Sequence, residues 1–342
     1  MTRRLEDLLE VIKGHRVLIQ THNFPDPDAL SSAYGLQKLF EHFGYDAKVC
    51  FHGSMAKASV QGLVSMFGLD AYEVDELEDI TSDDRIITVD SQFNNSNVRK
   101  TAATVAGCID HHPTTAPGTY SFRDVRICGS CATLIADYFF SNDIDMDADT
   151  ATILLYGLKM DTESFSRGVT DIDIDMFRLL FSRCDQDKLK MLCNHQMAFG
   201  DLNIYRKALG TIKIYDGIAF SFLDSEASDG LVATVCDFML TLVEVQFAIA
   251  YAYRGNGLKF SVRSSLDYLD AGTIITNALE GIGTGGGHGT MAGGYIDFND
   301  IAEADIDLEE EIHNRFINAV YFSRAIKEAL KDPLGLGIGT IM

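Results

Sequence analysis

At 342 residues the chain is long enough for two domains, and 46% hydrophobic with 23% charged residues is an ordinary balance for a folded globular protein. Its formal net charge of −22 repels long polyanions. That excludes extended, nonspecific DNA or RNA binding, but not a short phosphorylated ligand where bound cations reverse the local sign.

The predicted elements begin with an amphipathic helix over 5–13 and a buried strand over 16–20, followed by a helix over 29–43 that stops at Gly44. A second strand covers 46–51, and a helix follows over 55–67. Further strands fall at 85–89 and 105–109, and helices at 130–140, 148–159 and 174–182. Strands alternating with helices predict a doubly wound, mostly parallel sheet, so the fold class is α/β. Residues 189–209 read as a helical connector. Beyond it, strands at 211–215 and 218–223 flank Asp216-Gly217, and strands at 245–253 and 258–264 flank Gly255-Asn256-Gly257, both hairpin signals. The expected organisation is a catalytic domain over 1–188, the connector over 189–209, and a smaller mixed α/β domain over 210–342, with a cleft between the two domains. No apolar run is long enough to span a bilayer, and Met1-Thr2-Arg3-Arg4-Leu5-Glu6-Asp7 lacks the apolar core of a signal peptide, so the expected location is cytoplasmic.

Open α/β sheets bind ligands just beyond the carboxyl ends of their strands, and chemistry-bearing residues collect there. The first strand runs into His22-Asn23-Phe24-Pro25-Asp26-Pro27-Asp28. The two prolines hold that loop extended, which is expected to turn Asp26 and Asp28 in similar directions. A helix N-cap would account for Asp28 but not for Asp26 or His22. The third strand ends at Asp90 and the fourth at Asp110-His111-His112. Asp161 closes a later helix. A carboxylate at a helix C-terminus opposes the macrodipole, and with no compensating cation in view it is better explained as a ligand. Six such ligands exceed what one catalytic ion needs. Mixed nitrogen and oxygen donors suit Mn(II), Mg(II), Fe(II) or Zn(II), and a two-metal site generates hydroxide at neutral pH and stabilises both the entering and the leaving oxygen at phosphorus.

In order and placement these motifs strongly resemble the DHH phosphoesterase superfamily: His22-x-x-x-Asp26-x-Asp28-Ala29, then Asp90, then Asp110-His111-His112, then Asp161-Thr162. Downstream, Arg263 in Lys259-Phe260-Ser261-Val262-Arg263-Ser264 and a glycine-rich loop, Gly285-Gly286-Gly287-His288 within residues 281–294, look like the DHH-associated domain. The resemblance extends to the oligoribonuclease (nanoRNase) and 3′-phosphoadenosine-5′-phosphate phosphatase branch. It implies that His22, Asp26 and Asp90 hold one metal, and that Asp28, Asp90, His111 and Asp161 hold the second. Asp110 would then orient ligands, and His112 would contact substrate phosphate. Arg263 and His288 would grip the nucleotide, Gly286 and Gly287 would let the backbone approach it, and Ser130 would bind phosphate at a helix N-terminus. Cys131 stands where the family often has a hydroxyl residue.

The implied activity is hydrolysis of short 5′-phosphorylated oligonucleotides or linear dinucleotides such as pGpG and pApA to mononucleotides, with two divalent ions, Mn(II) first and Mg(II) next. The rivals are a 3′-phosphoadenosine-5′-phosphate phosphatase, a pyro- or polyphosphatase, and a non-hydrolysing nucleotide sensor. The apolar tail, Pro333-Leu334-Gly335-Leu336-Gly337-Ile338-Gly339, offers a surface for homodimerisation or for packing on the domain.

Other features are set aside. Cys50, Cys108, Cys184, Cys193 and Cys236 read as small buried hydrophobes, and Cys128 and Cys131 form a lone CxxC without the further ligands that zinc needs. The alternating Asp143, Asp145, Asp147 and Asp149 lack the glycine and glutamate of an EF-hand and read as a solvated turn with a helix cap; Asp171, Asp173 and Asp175 read the same way. His15, His42, His52, His195 and His313 read as surface or structural histidines.

Overall fold

The computed structural model describes all residues except 56–57, 96, 115–118, 195–196, 198, 224–226, 267, 288, 301–307 and 332–342. His288, His195 and the apolar tail therefore lie outside the described residues. The chain forms two compact units, residues 1–197 and 198–342.

The first unit is built on a six-stranded, wholly parallel sheet of β1 (Val17–Gln20), β2 (Ala47–Phe51), β3 (Ala71–Glu73), β4 (Arg85–Val89), β5 (Thr104–Asp110) and β6 (Phe122–Val125), in the order β3-β2-β1-β4-β5-β6. The order reverses between β1 and β4, which makes their carboxyl ends the topological switch point. The central strands β1 and β4 are apolar runs rather than alternating ones, because helices cover both faces of a parallel sheet. β3 (Ala71-Tyr72-Glu73) and β6 (Phe122-Arg123-Asp124-Val125) are the edge strands, and neither is the apolar run by which the central strands are read.

Helices α1 (Arg3–Ile12), α2 (Pro27–His42), α3 (Ala58–Phe67), α4 (Cys131–Phe140), α5 (Ala148–Asp161), α6 (Asp171–Phe181) and α7 (Gln186–Asn194) complete the unit. α2 and α5 pack closely and antiparallel. A Cβ on Gly35 would lie 2.7 Å from Leu154, and one on Gly157 would lie 2.7 Å from Ser31, so glycine is what lets the backbones meet. This packing brings the start of α2 and the end of α5 to the same rim.

The region expected to be one connector is two helices. α7 packs on α3 and α5 of the first unit, and α8 (Asp201–Thr211) packs on the second unit. The second unit holds a mixed sheet in the order β11-β12-β10-β9-β8-β7, from β7 (Lys213–Tyr215), β8 (Ile218–Leu223), β9 (Phe247–Arg254), β10 (Gly257–Ser264), β11 (Thr284–Gly287) and β12 (Met291–Asp297). Its helices beyond α8 are α9 (Asp229–Met239), α10 (Ala271–Ala278) and α11 (Leu308–Lys331). Asp216 and Gly217 make the β7–β8 turn with φ of 47° and 79°, the left-handed pair that a two-residue hairpin needs. Among the described residues, no helix is long and apolar enough to cross a membrane.

Candidate metal centre

The rim at the β1–β4 switch point gathers six of the predicted ligands. Three donor groups can be drawn there, each with atoms within 4.8 Å of one another: His22, Asp26 and Asp90; Asp28, His111 and Asp161; and Asp90, His111 and His112. Asp90 belongs to two of them. His22 Nε2 lies 3.6 Å from Asp90 Oδ2 and 3.9 Å from Asp26 Oδ1. His111 Nε2 lies 3.2 Å from Asp90 Oδ1, 3.2 Å from Asp161 Oδ2 and 4.0 Å from Asp28 Oδ2.

Each position has a local cause. Asp90 directly follows β4 in a left-handed conformation, φ 55°, and its carboxylate oxygens face His22 and His111. Asp26, not Asp28, is the N-cap of α2, accepting the Ala29 N–H at 3.0 Å, and Pro27 occupies the first helical position. The segment after Asp26 is thus helical rather than extended. This corrects the expected alternation: Asp26 and Asp28 serve different groups. Asp28 is buried and accepts the Cys131 and Ala132 N–H groups at 2.7 and 2.9 Å, across the N-terminus of α4.

Both imidazoles are aimed by their other nitrogen. His22 Nδ1 meets the Asn23 carbonyl at 2.9 Å, and His111 Nδ1 meets the Cys128 carbonyl at 3.0 Å. A carbonyl only accepts, so Nδ1 carries the proton, and in the neutral ring Nε2 keeps a lone pair that can bind a metal ion held by the facing carboxylates. Asp110 has a narrower role than expected. Its carboxylate accepts the backbone N–H of His111 at 2.9 Å and pairs with His112 Nδ1 at 2.9 Å, while the His111 ring is oriented by Cys128. Gln92, which carried no signal in the sequence, is buried and donates from Nε2 to Asp110 Oδ2 at 2.7 Å.

Charge is balanced within the rim. Burial disfavours charge on His111, but Asp90, Asp28 and Asp161 outweigh it and push its pKa up to about 11. His22 is likewise raised well above its ordinary value: burial opposes this, and Asp26 and Asp90 outweigh it. Burial pushes Asp90 up, yet the two histidines hold it far below the usual carboxylate range. Asp28 is raised, first by burial and then by repulsion from Asp90 and Asp161. Burial and the neighbouring carboxylates lift Asp161 to about 6. His112 is partly exposed, with its ring tilted 56° to that of His111 at 4.1 Å; burial lowers its pKa, and the hydrogen bond to Asp110 and the charge of Asp90 outweigh that and raise it.

A metal fits these residues. Asp90 Oδ1 and His111 Nε2 are both buried and face each other at 3.2 Å, yet neither has a hydrogen-bond partner. Buried polar atoms are almost always satisfied, and a cation between them satisfies both.

Other sequence-predicted positions read differently. The cation that Asp161 lacked in the sequence is present: Arg167 Nη2 lies 2.6 Å from the Asp161 carbonyl oxygen and 3.3 Å from Oδ1. Asp161 thus has both a helix-end partner and a place in the donor group. Ser130 is fully buried as the N-cap of α4, and the N–H groups beyond it are turned to Asp28. That corrects its expected phosphate contact. Asp173 is not solvated: it is buried, accepting from Gly129 N–H at 2.8 Å and Thr133 Oγ1 at 2.6 Å. Cys184 and Cys193 are only partly buried, and all seven cysteines are free.

In the second unit, residues 284–287 and 291–297 are the strands of a hairpin, not a loop. Close packing explains most of its glycines. A Cβ on Gly285 would lie 2.9 Å from Ile275, and one on Gly287, at φ 158°, would lie 2.4 Å from the Met291 carbonyl oxygen. Gly286 alone faces open space. It aligns across Gly293 with Ser261, on the sheet face that carries Arg263. Arg263 is ion-paired to Asp237 at 2.6 Å and reaches Ser261 Oγ at 3.2 Å.

A doubly wound sheet with mixed histidine and carboxylate donors at its switch point defines an α/β protein suited to divalent metal ions. The model of the DHH family N-terminal domain matches residues 16–158, and that of the DHHA1 domain matches residues 216–314. The chain belongs to the DHH phosphoesterase superfamily. It is 27% identical over 283 residues to an uncharacterised protein of Methanocaldococcus jannaschii, covering 82% of this chain and 58% of that one. It is 24% identical over 336 residues to the cyclic-di-AMP phosphodiesterase GdpP of Bacillus subtilis, covering 91% and 49%. A probable manganese-dependent inorganic pyrophosphatase of Streptococcus pyogenes is 28% identical over 151 residues, covering 43% and 48%. The chain thus spans about half the length of the curated relatives it matches. In fold it is similar to an exopolyphosphatase-related protein from Bacteroides fragilis, with a TM-score of 0.75, 18% identity, and coverage of 96% of this chain and 100% of that one.

Proposed function

We propose that the protein is a metal-dependent phosphodiesterase that hydrolyses short 5′-phosphorylated oligonucleotides or linear dinucleotides to mononucleotides. The observation that carries this reading is the facing pair of buried, unbonded ligand atoms, Asp90 Oδ1 and His111 Nε2, inside a rim of six donors. The rim would hold two divalent ions, Mn(II) by preference, which when bound would supply a water nucleophile at neutral pH and stabilise charge at phosphorus. His22, Asp26 and Asp90 would hold one, and Asp28, Asp90, His111 and Asp161 the other. Asp110 and Gln92 fix the His112 ring, and its protonated edge donates to a phosphate oxygen. Arg263, Gly286 and His288 of the second unit would bind the nucleotide.

The similarity to a cyclic-di-AMP phosphodiesterase runs through both domains of this chain, which supports a nucleotide substrate. The pyrophosphatase similarity is confined to 43% of this chain, so it supports the metal chemistry more than the substrate.

The test is direct. Purified protein with Mn(II) is incubated separately with pApA, pGpG, 3′-phosphoadenosine-5′-phosphate and pyrophosphate. Mononucleotides from the dinucleotides are expected, and Asp90→Ala should abolish them. Phosphate released only from pyrophosphate or from the monoester would replace this reading with the corresponding rival, and tight nucleotide binding without turnover would indicate a sensor.

A further inference from the structure

The loop from His22 to Asp28 carries one large side chain that neither the donor groups nor the core uses. Phe24 is 63% exposed. Its backbone sits at φ 56°, a left-handed conformation that is an outlier for a bulky aromatic residue. The surroundings hold it there. Phe24 N–H donates to the His52 carbonyl at 2.7 Å, and Asn23 N–H donates to the Asn97 carbonyl at 2.6 Å. Asn23 Oδ1 accepts the Arg99 N–H at 2.9 Å. The ring rests on Gly53, where a Cβ would lie only 2.6 Å from Phe24 Cδ1 and Cε1. Any side chain at 53 would displace the ring.

Two ordinary explanations fail. A core role requires a covered ring, and this one is mostly exposed. A plain turn takes asparagine or glycine at a left-handed position without strain, so phenylalanine has no conformational reason to be here. Strain of this kind persists at functional sites, where the surrounding structure over-determines it. Phe24 also lies two residues from both His22 and Asp26, which places its Cα within roughly 7 Å of theirs along the chain.

We propose that Phe24 is a stacking platform for a nucleobase of the substrate, set beside the phosphate-handling rim. This rests on the nucleotide reading above and deepens it by placing recognition of a base in the first unit. The side chains of two residues whose backbones anchor the loop are already engaged, His52 Nδ1 with Glu73 Oε1 at 2.7 Å and Arg99 with Asp75 at 3.1 Å. Stacking uses the π-face that every base has. The platform therefore favours nucleotides over pyrophosphate without demanding a particular base.

The chain contains no tryptophan, so Phe24→Trp introduces a single tryptophan at the proposed contact, excited selectively over the tyrosines at the red edge of its absorption. AMP added to this variant, loaded with Mn(II), should quench its emission saturably, and inorganic phosphate should not. In kinetics, Phe24→Ala should raise KM for pApA roughly 5- to 150-fold, the range for removing one base–aromatic stack, and Phe24→Trp should restore it. On an analogue with an abasic tetrahydrofuran unit in place of one nucleoside, the difference between wild type and Phe24→Ala should shrink below twofold. Manganese content is measured for each variant, so that a disturbed loop is not mistaken for a lost stack. A wild-type KM in Phe24→Ala, or no quenching by AMP, overturns the platform even if pApA is hydrolysed. Quenching by AMP with no hydrolysis of pApA by wild type retires the phosphodiesterase reading and leaves the platform standing.

Discussion

Filling the centre with metal must displace protons, and the structure sets how many. A histidine binds a metal only when neutral, yet in the metal-free protein His111 titrates near 11 and His22 well above its ordinary value. At pH 7 a group of pKa about 11 is neutral in roughly one molecule in ten thousand. Opposing that proton costs roughly 5 kcal/mol of metal affinity at pH 7, at about 1.4 kcal/mol per pH unit. Affinity should therefore rise about tenfold per pH unit for the His111 proton displaced, and filling the centre should release at least one proton at pH 7. Calorimetric titration of chelator-stripped protein with Mn(II), in buffers of different ionisation enthalpy, counts them directly.

The stability linkage runs the other way. His111 is raised in the folded state, so in the metal-free protein its contribution is complete below about 6.5 and is lost as pH rises through about 11. The gap in melting temperature between loaded and metal-free protein should widen from pH 6.5 to pH 8.5. Fewer than one proton released in total, or an affinity that does not change over that range, would refute the charge balance derived for the rim.

Three substitutions separate the remaining roles. Gln92→Ala leaves Asp110 Oδ2 without its donor and should lower kcat 10- to 100-fold while the metal content stays that of wild type, as checked by metal analysis beside kinetics. Arg263→Ala removes a largely buried guanidinium that holds half-exposed Asp237, Ser261 and the Val262 carbonyl, so it should lower the melting temperature by a few degrees; a KM increase with kcat kept would then report substrate binding beyond that loss. Asp173→Ala strips partners from Gly129, Thr133 and Thr170 at once and should destabilise the protein by about 3 kcal/mol or more, seen as a lower midpoint in urea.

The first unit was legible because its signals are strong and local. Buried parallel strands read as apolar runs, and strand-end residues with no packing purpose stand out against them, so the long strands and all six candidate ligands could be found by number. What could not be read from sequence depends on how the chain turns back on itself, over long spans or within a few residues. Asp173 looks solvated until Gly129 and Thr133 are brought to it, and Arg167 looks unrelated to Asp161 until the turn after α5 folds back. Gln92 could not be found, since one buried amide carries no pattern. The glycine-rich segment misled in a different way. Glycine marks both loops and strands that approach other backbone closely, and only the positions of α10 and β12 show that Gly285 and Gly287 belong to the second kind.

This bears on which residues can choose the substrate. The six rim ligands hold one another's charge so tightly that little freedom is left for them to distinguish a diester from an anhydride. His111 is balanced by three carboxylates, and Asp90 by two histidines. Selection must then fall on side chains that the rim does not constrain. Gly286 opens the Arg263 face of the second sheet without any packing need. Phe24 keeps an exposed ring at a strained position, again with no packing reason. Packing explains neither position, and under the proposed function they would meet what a nucleotide has and pyrophosphate lacks: Phe24 a base, and Arg263 beside Gly286 a second phosphate. If Phe24→Ala and Arg263→Ala each impair pApA hydrolysis while pyrophosphate hydrolysis in the same preparations is unchanged or absent, specificity lies outside the metal ligands. Equal impairment on both substrates would return it to the rim.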